Sequence, residues 1–381
     1  MRARCLRSIL MSLCLMATMH VYAAEIPFFV GSCPFGPFPP SKGIYRGSLD
    51  AETGKLGPLT LAAAVTNPAF LALSHDGHFL YAALNQSKAC LAAFRIEAGG
   101  RLRLLNRVSF MNAAIHPGGS LHLSCDSTGK QILAAWWQGP VAAFSTAADG
   151  SIASQASYYV FKGSGPAIYQ ETAHPHSIYP DPSNRFVYVC DLGSDVIGVF
   201  NFDSQTGALM PKLPFARLAP GSGPRHLAFG SDGRFVYVNN QMGLSVSVFA
   251  RNPSTGTLTL LQTISTFPPG TTPPLNTNTS EIACHPSGRW LYVATRGPDS
   301  AIVVYAIKSD GLLEWVEAHP AEVKIPHNFA IDPSGQWLIA GGGDDHRIVV
   351  LRIDPATGRL ATTGQEASIN TPSCIVFPVA R

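Results

Sequence analysis

Residues 174–209 read HPHSIYPDPSNRFVYVCDLGSDVIGVFNFDSQTGAL, and this stretch holds one copy of the unit that decides the fold. Two strand-like runs flank a tight turn at Pro182-Ser183-Asn184. A third run then leads to a second turn, which contains Gly207 and is followed by Leu209. Because β-branched and aromatic residues favour strands while Pro, Ser, Asn and Gly favour turns, the unit reads strand, tight turn, strand, loop, strand, glycine turn, strand.

Both turn signatures recur along the whole chain. The glycine turn returns at Gly54, Gly100, Gly150, Gly207, Gly256, Gly311 and Gly358, at steps of 46 to 57 residues. The tight turn returns at 75–77, 127–129, 182–184, 231–233, 286–288 and 333–335. Four strands in about 50 residues, repeated, are typical of a propeller blade. The sequence therefore predicts an all-β, seven-bladed β-propeller with four-stranded blades.

The two ends of the chain account for the missing seventh tight turn. The chain begins with what would be a second strand, Phe28-Phe29-Val30, and ends with a lone first strand, Cys374-Ile375-Val376-Phe377. We expect the C-terminal strand to join the N-terminal blade and close the ring, which hides strand edges. Cys33 and Cys374 lie on these strands, so a disulfide between them is a hypothesis, although spacing alone cannot give the pairing of six cysteines.

The first 23 residues have the pattern of a secretory signal peptide. Arg2, Arg4 and Arg7 precede an apolar stretch from Ile9 to Met19, and a cut near Ala23 would leave residues 24–381 as the propeller. An uncleaved anchor is the alternative, but the stretch is short for a membrane span. The remainder carries 24 basic and 24 acidic residues without a basic run, which argues against nucleic-acid binding. We expect a periplasmic or secreted protein that is monomeric and off the membrane.

The positions that should ring one mouth of the propeller are unusually polar. Aligning the repeats on their tight turns places His176, Arg225 and His327 at the starts of first strands, and Arg296 at the end of a second strand. Arginine offers a fork of donors to carboxylate or phosphate, and histidine exchanges a proton near neutral pH. These side chains could therefore converge on one anionic or carbonyl-bearing ligand, or they could simply form hydrogen bonds between blades.

At these residues the chain resembles the seven-bladed lactonase family of propeller-type 6-phosphogluconolactonases and carboxymuconate cyclases. The resemblance covers nearly all of residues 24–381 and is carried by three stretches: His174-Pro175-His176-Ser177 with Asp191-Leu192-Gly193, Gly223-Pro224-Arg225-His226-Leu227, and Thr295-Arg296-Gly297. It implies a lactonase with His176 as general base and Arg225 and Arg296 as oxyanion or anion ligands. His174, Asp191, His226, Gln241 and His327 are the implied substrate-binding residues, and no cofactor is implied.

Three features depart from the family pattern. The family usually has Asn-Glu where this chain has Asn240-Gln241, and an amide cannot exchange a proton or carry charge. A family arginine is replaced by His327. Export would separate the protein from cytoplasmic phosphogluconate, so a non-phosphorylated sugar lactone or another lactone fits the compartment better.

Several interpretations stay open from the sequence. A non-catalytic propeller that binds a small anionic ligand, or one that binds a protein partner, is the alternative to the enzyme, because propellers host all three. His174 and His176 would share a face of an extended strand, but no third ligand is identifiable, so no metal is expected. Trp136 and Trp137 are interpreted as packing between blades rather than stacking on a sugar.

Overall fold

The computed structural model describes residues 25–86, 90–110 and 119–378, and the predicted signal segment lies outside the described residues. Within these ranges the chain forms 29 strands and one short 3-10 helix, Ala98–Gly100. In the described part of the chain, no helix is both long and apolar enough to cross a membrane. The strands form seven antiparallel sheets.

Each sheet is one blade, in which the strands follow one another from the inside of the ring outward. The first three blades are β29 (Pro372–Val376), β1 (Glu25–Ser32), β2 (Gly43–Asp50), β3 (Thr60–Ala64); β4 (Pro68–Leu73), β5 (Phe79–Leu84), β6 (Cys90–Ile96), β7 (Leu102–Ser109); and β8 (Ser120–Cys125), β9 (Gln131–Trp136), β10 (Pro140–Thr146), β11 (Ile152–Val160). The fourth is β12 (Pro175–Pro180), β13 (Phe186–Asp191), β14 (Val196–Asp203), β15 (Ala208–Pro211), with β16 (Ala216–Arg217) also on β14. The last three are β17 (Pro224–Phe229), β18 (Phe235–Asn240), β19 (Ser245–Arg251), β20 (Leu258–Ser265); β21 (Asn278–Cys284), β22 (Trp290–Arg296), β23 (Ala301–Ile307), β24 (Leu313–Pro320); and β25 (Pro326–Ile331), β26 (Trp337–Gly342), β27 (Arg347–Ile353), β28 (Leu360–Ser368).

The innermost strands close a ring. Contacts between neighbouring blades run from β29 to β4, β8, β12, β17, β21, β25 and back to β29. In the first blade the C-terminal strand β29 pairs with β1, with Val30 opposite Ile375. The predicted seven-bladed architecture and the closure of the ring by the C-terminal strand are therefore confirmed. The hypothesis of a Cys33–Cys374 disulfide was wrong, because all six cysteines in the described residues are free thiols.

Adjacent blades are joined by apolar packing and by a repeated hydrogen bond. Between blades three and four, Leu133 and Ala135 pack with Val187 and Val189. The tyrosine of four second strands donates its hydroxyl hydrogen to the carbonyl of the glycine turn on the next blade, at 2.6 to 3.1 Å: Tyr81 to Gly150, Tyr188 to Gly256, Tyr237 to Gly311 and Tyr292 to Gly358. The strand after the tight turn thus contacts the glycine turn across the interface, which is a physical reason for both signatures to recur.

Candidate functional site

A cavity of about 820 Å³ lies at one mouth of the ring. We call it the mouth cavity, and its volume is in the range of small-molecule sites. Its aromatic lining residues are Phe35, Phe38, Phe70, Trp137 and Tyr169; its polar ones include His176, Arg225, His226, Gln241, Asn276, Asn278, Glu281, Arg296, His327, Asn328 and Asp344. The predicted gathering of polar residues at this mouth agrees with the structure.

β-Bulges at the start of the innermost strands place three of these side chains. Pro175 pairs with Asp191 and Ser177 with Cys190, which leaves His176 as the extra, unpaired residue. Arg225 and His327 occupy the same bulge position in the fifth and seventh blades. A bulge interrupts the alternation of side chains and re-aims the extra residue. Each bulge follows a proline, which is tolerated at the first position of a strand because it has no N–H to donate.

Arg225 and Arg296 share one neutral acceptor. Oε1 of Gln241 accepts a hydrogen bond from Nε of Arg225 at 3.1 Å and from Nη2 of Arg296 at 3.2 Å. Arg225 is fully buried and also donates to the carbonyl of Ser280. Burial, and then the charge of Arg296, lower the pKa of Arg225 to about 9, while burial lowers that of Arg296 to about 10. Both guanidinium groups therefore remain cationic at neutral pH.

His327 lies between the two arginines and cannot accept a hydrogen bond from both. Its Nε2 is 3.2 Å from Nη2 of Arg225, and its Nδ1 is 3.0 Å from Nη1 of Arg296. Burial and the two cationic neighbours hold the pKa of His327 well below its ordinary value, so the ring is neutral and has a single acceptor nitrogen. One guanidinium N–H therefore faces an imidazole N–H. Among the described residues no carboxylate forms an ion pair with either arginine, so an oxyanion in the mouth cavity would supply the missing acceptor.

His226 and Glu281 form a separate network behind Arg225. Nδ1 of His226 donates to Oε1 of Glu281 at 2.9 Å, and Nη1 of Arg225 lies 3.2 Å from Nε2 of the same ring. Asn328 donates its amide hydrogen to the other carboxylate oxygen. Burial lowers the pKa of His226, and although burial raises that of Glu281, the charges and hydrogen bonds of its neighbours lower it overall. A neutral histidine thus connects the carboxylate to the arginine, which fixes the orientation of Arg225.

His176 is the one predicted catalytic side chain with a free buried nitrogen. It is 8% exposed, and its Nδ1 has no hydrogen-bond partner among the described residues. Its ring centre lies 5.2 Å from that of His226. Burial, followed by the charge of Arg225, holds the pKa of His176 well below its ordinary value. The side chain is therefore neutral at physiological pH and able to accept a proton from a molecule in the cavity.

His174 and Asp191 do not border the mouth cavity, contrary to the prediction that they bind substrate. Both are buried, and Oδ1 of Asp191 accepts the backbone N–H of His174 at 2.7 Å. Nδ1 of His174 lies 2.6 Å from the backbone oxygen of Trp137, and its ring stacks on the indole at 4.1 Å. The bulge at His176 explains the difference, because it removes the two-residue alternation that would place both histidines on one face.

Sequence reasoning missed part of the cavity wall. Trp136 is fully buried as predicted, and Trp137 packs against His174 of the next blade as predicted, but Trp137 also lines the mouth cavity. In the aligned repeats Glu281 occupies the position equivalent to His226, so the alignment could have identified it as a mouth residue. Tyr169 lies in a loop with no repeat signal. Asn276 and Asn278 come from the Pro- and Thr-rich segment before β21.

The chemistry available in the mouth cavity is that of a proton acceptor beside an anion-binding pair. In the described part of the chain, no group of three His, Cys, Asp or Glu side chains is arranged to hold a metal ion. The cavity instead combines neutral His176 with two guanidinium groups whose hydrogen bonds leave a donor unused. Together with the fold, this arrangement defines a propeller with two guanidinium groups and a neutral histidine in its central mouth, a set of groups suited to polarising an ester carbonyl.

Comparison with known proteins identifies the family. The profile of the family described as "Lactonase, 7-bladed beta-propeller" matches residues 28–377, and the chain belongs to this family. A 6-phosphogluconolactonase of Formosa agariphila is 32% identical over 91% of this chain and 98% of its own length. The Bacillus subtilis 6-phosphogluconolactonase is 31% identical over 88% of this chain and 95% of its own. The structure of a periplasmic gluconolactonase of Pseudomonas aeruginosa superposes with a TM-score of 0.85 at 26% identity, covering 93% of this chain and 99% of that one.

These relatives confirm the resemblance that the sequence predicted. They support a hydrolase of the lactonase class, and the high coverage of both partners means that the likeness extends over the propeller as a whole.

Proposed function

We propose that this protein hydrolyses a sugar-type lactone without a phosphate group, outside the cytoplasm. The observation that carries the proposal is the free Nδ1 of buried His176 beside the Arg225 and Arg296 pair. A propeller whose mouth is purely structural has weaker support, because a buried base without a hydrogen-bond partner is costly unless a bound molecule uses it. The relatives described as 6-phosphogluconolactonases favour turnover over binding alone.

The reaction follows from the arrangement of these three side chains. His176 accepts a proton from water as the water oxygen attacks the lactone carbonyl, and the carbonyl oxygen becomes an oxyanion that Arg225 and Arg296 stabilise. The developing negative charge also favours the protonated form of His176. The ring C–O bond then breaks, and the alkoxide takes the proton from His176. The product is a hydroxy acid that releases its carboxyl proton to solvent, and the arginines hold the resulting carboxylate until it leaves.

The charge of the mouth cavity supports a neutral substrate. Apart from the histidines, Arg225 and Arg296 are the cationic side chains among the described residues that line it, and both converge on Gln241 and His327. One cluster can bind the reacting carbonyl or a distant phosphate, but not both together. The remaining wall is made of aromatic rings and the amides of Asn276 and Asn278, which suits a hydroxylated ring.

An extracytoplasmic location is part of the proposal. The N-terminal pattern of arginines, apolar residues and a small-residue cut supports removal of residues 1–23 and export of residues 24–381. The Pseudomonas aeruginosa relative is itself described as periplasmic. Cell fractionation with N-terminal sequencing of the purified protein tests this directly. Protein found in the cytoplasm with Met1 still at its N-terminus would contradict the proposal.

The decisive experiment is hydrolysis of a lactone panel by the purified mature protein. A pH-stat would follow glucono-1,5-lactone, its 6-phosphate and δ-valerolactone above their spontaneous rates, with Arg296→Ala as the inactive control. We expect turnover with the highest kcat/KM for the unphosphorylated sugar lactone. Preference for the 6-phosphate would contradict the substrate assignment. Folded protein that hydrolyses none of the three would favour a binding protein instead.

The pH dependence should reflect the lowered pKa of His176. The proton acceptor must be neutral, and burial beside Arg225 places its pKa well below the ordinary 6.5. The kcat/KM of the free enzyme should therefore stay constant as the pH falls to 6.5 and decline only at lower pH. Initial rates from pH 4.5 to 8 at low substrate concentration measure this. An acid limb centred at or above pH 6.5 would show that the base is a less buried group.

The substitution Gln241→Glu should weaken binding of anions to the mouth cavity. A carboxylate at this position would pair with both arginines and neutralise part of the positive charge that attracts an anion such as phosphate. We expect the inhibition constant of inorganic phosphate to rise about tenfold, equivalent to about 1.4 kcal/mol. Gln205→Glu adds the same charge at an exposed outer turn and should leave inhibition unchanged. A higher activity in Gln241→Glu would instead indicate that Gln241 marks a weakened catalytic site.

A further inference from the structure

Trp137 presents a supported aromatic surface to the mouth cavity. It follows β9, is half-buried and lines the cavity, whereas the adjacent Trp136 is fully buried between strands. The ring of His174 lies nearly parallel to the indole, at 4.1 Å and 9°. Tyr169 and His176 meet the indole edge-on, at 6.4 and 6.3 Å. Among the described residues, His174 is thus the one ring that stacks flat on Trp137.

Hydrogen bonds hold the support beneath the indole in place. Nδ1 of His174 interacts with the backbone oxygen of Trp137 itself, at 2.6 Å. The backbone N–H of His174 donates to Oδ1 of Asp191 at 2.7 Å, and the same oxygen accepts the N–H of Gly193 at 3.2 Å. Ser194 donates its hydroxyl hydrogen to the second carboxylate oxygen. Asp191 therefore fixes His174, and His174 fixes the plane of Trp137.

We propose that Trp137 is a stacking platform for the ring of a sugar lactone, and that His174 and Asp191 are positioning residues for it. The inference rests on the proposed function and specifies how that site selects its substrate. A pyranose-type ring has one face of C–H groups and hydroxyls at its edge. Such a ring can bury the C–H face on an indole while the hydroxyls contact amides or water.

The position of the platform fits the catalytic geometry. The ring of His176 lies between those of Trp137 and His226. Its centre is 6.3 Å from the ring centre of Trp137 and 5.2 Å from that of His226. A ring lying on Trp137 would therefore have its edge beside the proposed base. Asn276, Asn278 and Tyr169 line the same cavity and could contact hydroxyl groups. Preorganised support of this kind reduces the entropy lost when the ligand binds.

The main test is substrate discrimination in Trp137→Ala and Trp137→Phe. The ratio of kcat/KM for glucono-1,5-lactone to that for δ-valerolactone, which lacks hydroxyls, should fall about tenfold in Trp137→Ala, with the change mostly in KM. Trp137→Phe keeps a smaller aromatic face and should retain part of the ratio. His174→Ala should also lower this ratio, by raising KM for the sugar lactone. His174→Phe keeps a stacking ring and should retain most of the wild-type ratio.

A binding measurement separates failure of the platform from failure of the proposed function. Glucono-1,5-lactam, a cyclic analogue whose ring has no ester to hydrolyse, should change the tryptophan emission of the wild type and of Trp315→Phe, a variant at a tryptophan on the outer strand β24, but not that of Trp137→Phe. If no lactone is hydrolysed but this pattern holds, the platform stands and the catalytic proposal falls. An unchanged discrimination ratio in Trp137→Ala, or an emission change that persists in Trp137→Phe, would overturn the platform.

Discussion

Replacing His176 by alanine is expected to lower kcat for lactone hydrolysis by about 10²–10⁴-fold, the range contributed by a positioned general base. The effect should be on kcat rather than on KM, because in the proposed reaction neutral His176 acts on the attacking water and not on the bound substrate. Its buried Nδ1 has no partner among the described residues, so the substitution removes no hydrogen bond made by that atom. We therefore expect the variant to fold normally.

Two measurements make this result specific. His285→Ala removes an equally buried histidine that contacts Ser287 and the Gly335 carbonyl away from the mouth cavity, and it should retain wild-type kcat. Added imidazole should restore part of the rate of His176→Ala, because the substitution opens space in the mouth cavity where the base was. A loss of less than tenfold in His176→Ala would mean that another group activates the water.

Replacing Arg225 by methionine should lower kcat/KM by about 10²–10³-fold, as expected for loss of an oxyanion donor. The fold should tolerate the change. Arg225 is fully buried, and its partners are Gln241, His226, His327 and the Ser280 carbonyl rather than an ion-paired carboxylate. Removing this charge relieves its repulsion of Arg296 and its desolvation, which offsets the lost hydrogen bonds. We expect Tm to shift by no more than about 4 °C.

Arg251→Met is the matched control. For this variant we expect a loss of stability with activity retained, whereas Arg225→Met should lose activity and keep its stability. Arg251 is also buried, but its Nη1 pairs with the buried carboxylate of Asp181 at 2.7 Å, across the interface between blades four and five. Breaking that pair leaves an uncompensated buried carboxylate and should cost about 3–5 kcal/mol of stability. Its kcat/KM should stay near wild type at temperatures where it is folded. Activity above a tenth of wild type in Arg225→Met would contradict the role assigned to Arg225.

The repeats determined the fold from the sequence alone. The glycine turns at 54 to 358 and the tight turns between them are local signals, readable without knowing which blades touch. The unequal counts of the two turns also predicted that the C-terminal strand would complete the first blade, as β29 does beside β1. The same alignment identified His176, Arg225 and His327 as mouth residues, because equivalent positions in a repeat occupy equivalent places in a ring.

The tertiary structure decided which side chains enter the mouth cavity. Strand periodicity placed His174 and His176 on one face, but the bulge between Pro175 and Ser177 re-aims His176 and leaves His174 behind Trp137. The burial of the Arg225 and Arg296 pair around one glutamine oxygen likewise needed side chains from different blades to meet. Repeat signals and ring positions are properties of the local sequence. A bulge depends on how two strands pair, and a contact between blades depends on how the ring closes. Neither can be read from the order of residues along the chain.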